Sequence, residues 1–390
     1  MEFPLDHSVL ELLGGFFVAA AGFGCLYLLT SAIVILWRGR ARPETVAAAP
    51  QPVTILKPLH GDEPGLFDRL KSFCTQNYAA PVQIVFGVQN PNDPAIEIVK
   101  QLQAALPGAA IDLKIDTRAH GSNRKISNVV NMVTLARHPI IVLADSDIEV
   151  GPDYLGAVVG ELQKPGVGLV TCLYHGAAER NVWSQFARLG LDTHFLPNAV
   201  TAIGLGLARP CFGSTMALRL ETLDRIGGFQ AFADCLADDH AIGDAVRAGG
   251  GLVAIPPFSV GHACRQKAFA DVVQDDLRCA RTIRNIDPVG HFGSIITHPL
   301  PLALIAMALG SADGLFFAMI ALTCRLALCC CVERVFATPR HSYWLIPARD
   351  VLAFGVFVAS FFGSAVNWRG YRYRVLSNGR LIQESPTVQS

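Results

Sequence analysis

Between residues 53 and 144 the apolar positions follow a strand pattern and a helix pattern in turn. Short runs rich in β-branched residues predict four strands, at 53–56, 82–88, 111–115 and 140–144. Between these runs, apolar residues recur at helical spacing and predict three helices. The first begins near residue 66, the second covers 95–106 and the third covers 124–136. Strands that alternate with helices usually pair in parallel through crossover connections, so the pattern predicts an α/β fold with a parallel sheet.

Two other parts of the chain are apolar over longer stretches. Residues 12–37 contain no charged side chain over 26 positions, more than the ~20 residues a helix needs to cross a membrane. The stretch is also longer than the ~7–15-residue core of a cleaved signal, and its basic residues, Arg38, Arg40 and Arg42, follow it. We therefore predict an uncleaved anchor, followed by a cytoplasmic region.

The second apolar zone begins near residue 295. It divides into three predicted membrane or interfacial segments, at 299–309, 315–332 and 344–366. Basic residues flank the last segment on both sides, which leaves open whether 347–366 or 299–309 is re-entrant rather than spanning. The predicted order is a transmembrane anchor (1–40), a linker (41–52), a cytoplasmic α/β domain (53–294), membrane helices (295–368) and a basic cytoplasmic tail (369–390).

Composition narrows the class of protein. Charged residues make up 16% of the chain, against ~25% in a typical soluble domain, and the deficit lies in the apolar zones. The formal net charge is zero, which argues against a nucleic-acid partner. The 11 cysteines form no C-x-x-C pair, a pattern that predicts neither a disulfide framework nor a zinc site and suits a reducing cytoplasm.

Polar clusters follow three of the predicted strands, at 57–61, 90–93 and 145–147. The carboxyl ends of parallel strands share one edge of the sheet, where ligands bind, so we expect these clusters to face one crevice. Asp145 and Asp147 offer the carboxylate oxygens that Mg²⁺ or Mn²⁺ prefers; an ordinary polar turn is the alternative. Asp93 precedes Pro94, so it is either part of this site or a turn aspartate.

Further candidates lie elsewhere in the chain. Asp238 and Asp239 open a predicted helix, where either helix capping or general-base chemistry would explain two acids. Lys125 begins a helix after a glycine turn, which suits either anion binding or a plain helix start. Residues 278, 281 and 284 are arginines on one helix face, which suits either phosphate binding or a solvated face beside a membrane.

In this order, the motifs resemble those of membrane-anchored glycosyltransferases with a GT-A fold, over residues 50–375. LKPLHGDEPGLFDRLKSFCTQNY (56–78) and GVQNPNDPA (87–95) resemble ceramide glucosyltransferase. Closer resemblance to bacterial glycosyltransferases associated with hopanoid biosynthesis comes from NRKISN, CFGSTMALR, LADDH and ARTIR.

The resemblance implies a GT-A nucleotide-sugar-binding (Rossmann-like) domain and inverting transfer from a UDP-sugar, aided by Mg²⁺ or Mn²⁺. It makes Asp239 the catalytic base and Asp145 and Asp147 the metal ligands. The implied UDP-binding residues are Pro58, Leu59, Glu63, Asp93, Lys125, Asp145, Arg278, Arg281 and Arg284. The implied acceptor-side residues are Cys211, Phe212, Gly213, Asp238 and His194.

The chain departs from the family's Q/R-x-x-R-W motif at two positions. Arg278 matches the arginine, but Asp275 occupies the first position and Cys279 replaces the tryptophan. Loss of the indole removes an aromatic stacking surface near the donor or acceptor sugar. His240 likewise stands where the family usually has an aromatic residue after the acidic pair.

The expected acceptor is a membrane lipid, and the lipid bilayer is an expected partner. Residues 185–213 are rich in apolar residues and glycine, which suits an interfacial helix or an ordinary core helix. The hopanoid resemblance implies N-acetylglucosamine transfer to a polyol such as bacteriohopanetetrol, in a multi-pass protein of the bacterial inner membrane with a cytoplasmic catalytic domain. Alternatives are ceramide glucosylation with UDP-glucose, polysaccharide synthesis, and a non-catalytic lipid- or nucleotide-binding membrane protein.

Overall fold

The structure is a computed structural model that describes residues 7–39 and 49–363, and the strand backbone of 365–368, 371–375 and 381–384. Most of the predicted linker and of the basic tail lie outside the described residues. The chain forms two compact units. The helical unit comprises Met1–Ala41, Ala178–Ala208 and Cys264–Arg372, and the sheet unit comprises Arg42–Ala177, Arg209–Ala263 and Tyr373–Ser390. These units differ from the predicted 53–294 domain, because residues 178–208 and 264–294 cluster with the apolar helices.

The first half of the chain contains α1 (His7–Arg38), β1 (Val53–Pro58), α2 (Leu66–Cys74), β2 (Val82–Val88), α3 (Ala95–Ala105), β3 (Ala110–Ile115), α4 (Arg124–Val133), β4 (Ile140–Leu143), β5 (Ile148–Glu149), α5 (Tyr154–Leu162), β6 (Val167–Thr171) and β7 (Leu173–Ala178). The second half contains α6 (Val182–Gly190), α7 (Leu196–Gly204), β8 (Met216–Arg219), α8 (Leu220–Arg225), α9 (Asp238–Ala248), β9 (Leu252–Ala254), β10 (Ser259–Cys264), α10 (Phe269–Ile286), α11 (Pro288–Gly293), α12 (Pro299–Ala308), α13 (Asp313–Phe336), α14 (Ile346–Ser360), β11 (Ala365–Trp368), β12 (Tyr371–Val375) and β13 (Leu381–Glu384).

A seven-stranded sheet, in the order β3-β2-β1-β4-β8-β6-β9, forms the centre of the sheet unit. β1 pairs in parallel with both β2 and β4, and Val53 is level with Val82 and Ile140. β8 runs antiparallel to β4 and to β6. The predicted parallel α/β core is thus confirmed, and the carboxyl ends of β1, β2 and β4 lie side by side.

Helices cover both faces of this sheet. Leu70 and Phe73 of α2 and Val99 of α3 belong to one buried cluster, whereas Val129 and Met132 of α4 belong to the other. Burial on both faces explains why the parallel strands are nearly continuous apolar runs. α4 ends at Val133 rather than at the predicted residue 136, because the next backbone hydrogen bonds span three residues and form a turn.

Among the described residues of the helical unit, three helical stretches are long and apolar enough to cross a membrane: His7–Arg38, Asp313–Phe336 and Tyr343–Ser360. A fourth candidate is a pair of short stretches, Pro288–Thr297 and Pro299–Ala308, which meet at a bend of 67°. α1 packs along α12 and α13. A Cβ at Gly24 of α1 would lie 2.6 Å from the carbonyl oxygen of Ile296, so glycine permits this close approach.

Buried polar side chains join the apolar helices of this unit. The Arg325 Nε donates to Asp350 Oδ2 at 3.1 Å, and the Arg325 guanidinium also donates to the carbonyl oxygens of Thr193 (2.8 Å) and Thr297 (2.6 Å). The other Asp350 oxygen lies 2.8 Å from His194 Nε2. Charges this deep require partners on several segments, and here those partners fix four segments against one another.

Candidate active site

Within the sheet unit, the candidate functional residues collect at the carboxyl edge of the parallel strands. They come from the end of β1, the loops after β2 and β4, the first turn of α4, the loop before β8 and the first turn of α9. The residues are Lys57, Asp93, Asp145, Asp147, Lys125, Gly213, Asp238 and Asp239. The edge is the one at which the sequence predicts a crevice.

Lys125 is the cation at the centre of this cluster. Its Nζ lies 2.9 Å from Asp145 Oδ1 and 3.1 Å from Asp238 Oδ2, and its side chain is 9% exposed. The residue is placed by Asn123, whose side chain caps α4 by accepting from the Ile126 backbone nitrogen at 3.1 Å. Asn123 also donates to Asp238 Oδ1 at 3.3 Å, so one cap positions both the lysine and a carboxylate.

The electrostatics follow from burial. Burial disfavours the charged form of Lys125, but the carboxylates of Asp145, Asp238 and Asp239 outweigh it and raise the lysine pKa. Burial also raises the pKa of Asp145, an effect that Lys125 opposes. Three carboxylates therefore share one buried cation, and the site favours added positive charge.

Asp239 is held beside this cluster by two backbone donors. Its Oδ2 accepts from the Gly213 nitrogen at 2.9 Å and its Oδ1 from the His240 nitrogen at 2.8 Å. Burial and the neighbouring Asp238 raise the pKa of Asp239 to about 6. A carboxylate with this pKa is ionised at neutral pH and accepts a proton more readily than an ordinary aspartate.

Gly213 permits the carboxylates to approach one another. A Cβ at this position would lie 3.1 Å from Asp145 Oδ2, 3.3 Å from Lys125 Nζ and 3.5 Å from Asp239 Oδ2. The preceding residue, Phe212, is fixed because its backbone nitrogen and oxygen both bond to Thr171 Oγ1 at 2.9 Å. The predicted acceptor-side residues Cys211 and Phe212 are buried, and of these neighbours Gly213 touches the reactive cluster.

Asp93 connects two strand ends. Its carboxylate accepts from the Gly61 nitrogen (2.9 and 3.1 Å) and the Ala95 nitrogen (2.9 Å), which ties the loop after β1 to the loop after β2. Pro58 ends β1, and the Leu59 nitrogen continues the pairing by donating to the Gly87 oxygen at 2.8 Å. Their contact with a donor nucleotide stays a prediction.

Glu63 lies on the same side of β1. It pairs with Arg69 at 3.5 Å, and the Arg69 Nε donates to the Ser146 carbonyl oxygen at 3.4 Å. Arg69 therefore links the Glu63 loop to the D-S-D segment, a role that no local sequence pattern indicates.

Lys57 belongs to the predicted polar cluster at 57–61, where it received no role of its own. It is fully buried in β1, and its Nζ donates to the carbonyl oxygens of Asp145 (2.7 Å) and Ile148 (3.4 Å). The ammonium lies 3.6 Å from the centre of the Phe73 ring. Burial lowers its pKa to about 7, against the opposing effect of Asp147 and Asp145. The available signal was a single lysine inside the apolar strand VTILKP.

His262 is a second addition. β10 pairs antiparallel with β5, which places His262 level with Ile148 and brings its Nε2 to 3.5 Å from Asp147 Oδ2. The two carboxylates of the D-S-D segment supply hard oxygen donors, and the imidazole is an additional nitrogen donor. Asp145 and Asp147 therefore fit a divalent cation by donor chemistry. The long sequence separation hid His262, which is paired through a short second sheet.

The remaining predicted residues lie in the helical unit. His194 is buried and bonds to Asp350, as described above. Arg281 donates to the Phe362 oxygen at 3.0 Å, and Arg284 donates to the Ser360 and Gly363 oxygens, so both bind the carboxyl end of α14. Arg278 lies on the same helix, α10, and the neighbouring Cys279 is exposed. Donor binding by these arginines and an acceptor role for His194 stay predictions.

The sheet and its helices match a solved glycosyltransferase. A mannosyltransferase from Pyrobaculum calidifontis, PcManGT, solved with GDP-Man and Mn²⁺, superposes with a TM-score of 0.51 at 22% identity, over 90% of this chain and 99% of that one. The architecture is therefore the mixed α/β GT-A fold found in glycosyltransferases, with apolar helices at the N-terminus and in the C-terminal region.

Residues 18–381 match glycosyl transferase family 21, and the chain belongs to that family. It is 26% identical over 300 residues to ceramide glucosyltransferase 1 of Caenorhabditis elegans; the aligned region covers 73% of this chain and 60% of that protein. It is 25% identical over 246 residues to ceramide glucosyltransferase 3 of the same organism, and here the aligned region covers 62% of this chain and 52% of that protein. The chain thus spans about half to three fifths of the length of these relatives.

Proposed function

We propose that this protein transfers a sugar, with inversion, from a UDP-sugar to a hydroxyl group of a membrane lipid. The observation that carries the proposal is the placement of Asp239: it is half-buried, its pKa is raised to about 6, and it adjoins a Lys125–Asp145 ion pair through Gly213. A base of this kind beside a cation suits removal of a hydroxyl proton while a diphosphate leaves.

The reaction needs one displacement. Asp239 takes the proton of the lipid hydroxyl while the hydroxyl oxygen forms a bond to the anomeric carbon. The bond from that carbon to the diphosphate oxygen breaks in the same step. Attack from the face opposite the diphosphate gives a β product from an α-linked donor. Lys125 stabilises the negative charge that grows on the diphosphate.

A metal ion and the arginines of α10 are further proposed sources of positive charge for the leaving diphosphate. A divalent cation held by Asp145 and Asp147 would supply further positive charge for the diphosphate when bound, and the Mn²⁺ complex of PcManGT supports this expectation. Diphosphate binding by Arg278, Arg281 and Arg284 is proposed from the motif resemblance and from the affinity of guanidinium groups for phosphate oxygens.

The proposed acceptor is a hopanoid polyol such as bacteriohopanetetrol, and the proposed sugar is N-acetylglucosamine. The motifs NRKISN, CFGSTMALR, LADDH and ARTIR support this choice, and the candidate membrane spans support a lipid acceptor. We place the enzyme in the bacterial inner membrane with its catalytic domain in the cytoplasm, because Arg38 follows the first span.

Ceramide glucosylation with UDP-glucose is the second candidate. It is favoured by the two nematode relatives, both of which are ceramide glucosyltransferases. A non-catalytic lipid- or nucleotide-binding protein is the candidate from another class, which the retained aspartates disfavour.

The test is a UDP-release assay on purified protein. UDP-N-acetylglucosamine and UDP-glucose are each supplied with bacteriohopanetetrol, with ceramide or without acceptor, and products are identified by mass spectrometry. We expect UDP release that depends on the hopanoid and on UDP-N-acetylglucosamine, and that stops with EDTA. Turnover only with ceramide and UDP-glucose would establish the second candidate, and no acceptor-dependent release in any arm would contradict both.

A further inference from the structure

A cavity in the helical unit lies apart from the residues assigned above. It has a volume of about 240 Å³ and opens between the start of α6 and the loop that follows α13. Arginines line it from both sides: Arg180 and Arg188 from the α6 region, and Arg340 from the loop. We call this cavity the arginine pocket. It is smaller than the ~300–1,000 Å³ typical of pockets for drug-sized ligands, so its size suits a single headgroup.

Positive charge dominates the described lining. It holds three guanidinium groups and one carboxylate, Glu179, and although Asp192 already pairs with Arg188, the other two arginines lie at the rim. Arg180 and Arg340 are exposed, and within residues 7–39 and 49–363 neither has an ion-pair partner. Planar guanidinium groups bind phosphate oxygens in pairs of parallel hydrogen bonds, which makes a phosphate group the natural ligand for such a lining.

Arg188 is held rigidly at the base of the pocket. Its Nε donates to Asp192 Oδ2 at 3.1 Å, and its other nitrogens donate to the Pro339 and Arg340 carbonyl oxygens. Asp192 Oδ2 also lies 2.8 Å from His341 Nε2. This arginine is therefore oriented before any ligand arrives, so little conformational entropy is lost when a ligand binds.

Behind the pocket, His341 joins Glu333 and Cys329, whose donor atoms lie close enough to suggest a metal site. However, His341 Nδ1 and Glu333 Oε1 are 2.6 Å apart, whereas two ligand atoms around a tetrahedral Zn²⁺ would be about 3.3 Å apart. Glu333 also accepts from Tyr343 Oη at 2.7 Å. The contact is thus a hydrogen bond, and the cluster supports the loop of the pocket.

The pocket lies where two candidate spans meet. The loop connects Asp313–Phe336 to Tyr343–Ser360, and both are long and apolar enough to cross a membrane. Next to it, Trp344 is 74% exposed and Val182 is 41% exposed. Exposed tryptophan at the end of a span is typical of the membrane–water interface. Apolar side chains beside a basic pocket match the layout of a phospholipid.

We propose that the arginine pocket binds the phosphate group of an anionic phospholipid headgroup. The guanidinium groups of Arg180 and Arg340 bind the phosphate oxygens from the rim while Arg188 binds from the base, and the acyl chains lie along the exposed apolar side chains. A zwitterionic headgroup binds less well, because the arginines repel its trimethylammonium group. Inorganic phosphate offers the same anion without acyl chains, so it distinguishes a lipid site from a general anion site.

The experiment measures ligand binding to the full-length protein in neutral detergent, by calorimetry. The probes are dihexanoyl phosphatidylglycerol, dihexanoyl phosphatidylcholine and inorganic phosphate. The pocket variant is Arg180→Gln/Arg340→Gln. Because both side chains are exposed, the fold should persist, which circular dichroism checks. The control, Arg225→Gln/Arg334→Gln, also removes two exposed positive charges, but neither residue lines the pocket.

We expect phosphatidylglycerol to bind the native protein more tightly than either other probe. Two arginines near an anionic lipid contribute about 1 kcal/mol each, so the pocket variant should bind it about 30-fold more weakly and the control should not differ from the native protein. Equal affinity in the pocket variant would overturn the site. Inorganic phosphate binding as tightly as the lipid would overturn the lipid assignment. No sugar donor or acceptor is present, so the result is independent of the proposed transferase activity.

Discussion

Replacing Lys125 with methionine removes the ammonium that pairs with Asp145 and Asp238 while nearly preserving the side-chain length. The ammonium lies 2.9 Å from Asp145 and 3.1 Å from Asp238. At an effective dielectric constant of about 20, each such pair attracts by about 5–6 kcal/mol before desolvation is counted. Measured losses for one partner of a buried pair are about 3–5 kcal/mol. We therefore expect the variant's sheet unit to lose about 4 kcal/mol of stability at neutral pH.

The loss should depend on pH in a definite direction. Burial raises the pKa of Asp145, and burial together with Asp238 raises the pKa of Asp239 to about 6. Without Lys125, protonation of these carboxylates stabilises the folded state, because their pKa values are higher in the folded protein than in the unfolded chain. Loss of Lys125 raises these pKa values further, so the difference between variant and native protein should be largest at neutral pH or above and shrink as the pH falls towards about 6.

Hydrogen–deuterium exchange of α4 and β4 peptides, in EDTA so that no cation replaces the lysine, measures this loss locally. Tryptophan fluorescence is unsuitable, because the four tryptophans (37, 183, 344 and 368) fall in the helical unit. Lys100→Met is the matched control: Lys100 forms an exposed pair with Glu97 at 3.8 Å, which contributes about 0–1 kcal/mol. A loss for Lys125→Met as small as the control's, or one that grows on acidification, would refute the electrostatic reasoning.

Three further outcomes follow from the geometry. Gly213→Ala should lower kcat about tenfold or more with the fold intact, because its Cβ would lie 3.1 Å from Asp145 Oδ2 and displace the cluster; unchanged kcat would show that the close approach is dispensable. Arg325→Met should destabilise the helical unit by about 3–5 kcal/mol by leaving Asp350 without its cation. Arg325→Met/Asp350→Leu should regain part of that loss, and a thermal midpoint no higher than the single variant's would contradict this. The rate of transfer should fall as the pH drops through about 6, where Asp239 takes up a proton; a flat profile from pH 5 to 8 would exclude this titration.

Local sequence patterns predicted much of the sheet unit. The run at 82–88 matches β2 at both ends, and the predicted strands at 53–56 and 140–144 match β1 and β4 within two residues. Strand periodicity and β-branched composition act locally, so one sequence suffices to find them. The active-site edge followed from topology, because parallel strands expose all of their carboxyl ends together.

What the sequence missed depends on contacts between distant residues. Lys57 was visible as a charge within a strand, but its burial against Phe73 and its bond to the Asp145 carbonyl arise only when α2 and β4 pack. His262 reaches Asp147 through pairing of β10 with β5. Arg325 lies within the apolar helix α13, and its partner Asp350 is 25 residues further along the chain in α14, so the pair appears only when the two helices pack.

Family membership now supports the reaction class, whereas sugar and acceptor rest on motif resemblance. Cys279, which replaces the motif tryptophan, is exposed on α10. Arg281 and Arg284, from the same helix, bind the carboxyl end of α14. The position of α10 thus depends on α14, a connection that the motif alone does not show.

The central claim is that Asp239 removes the proton of the acceptor hydroxyl. It is tested most directly by comparing native protein with Asp239→Asn for product formation, by mass spectrometry, and for UDP binding, by calorimetry, on the same samples. Asparagine keeps the shape of the side chain but cannot accept the proton, so we expect transfer to be lost while UDP affinity stays within about threefold of the native value. Transfer at the native rate by Asp239→Asn would contradict the account.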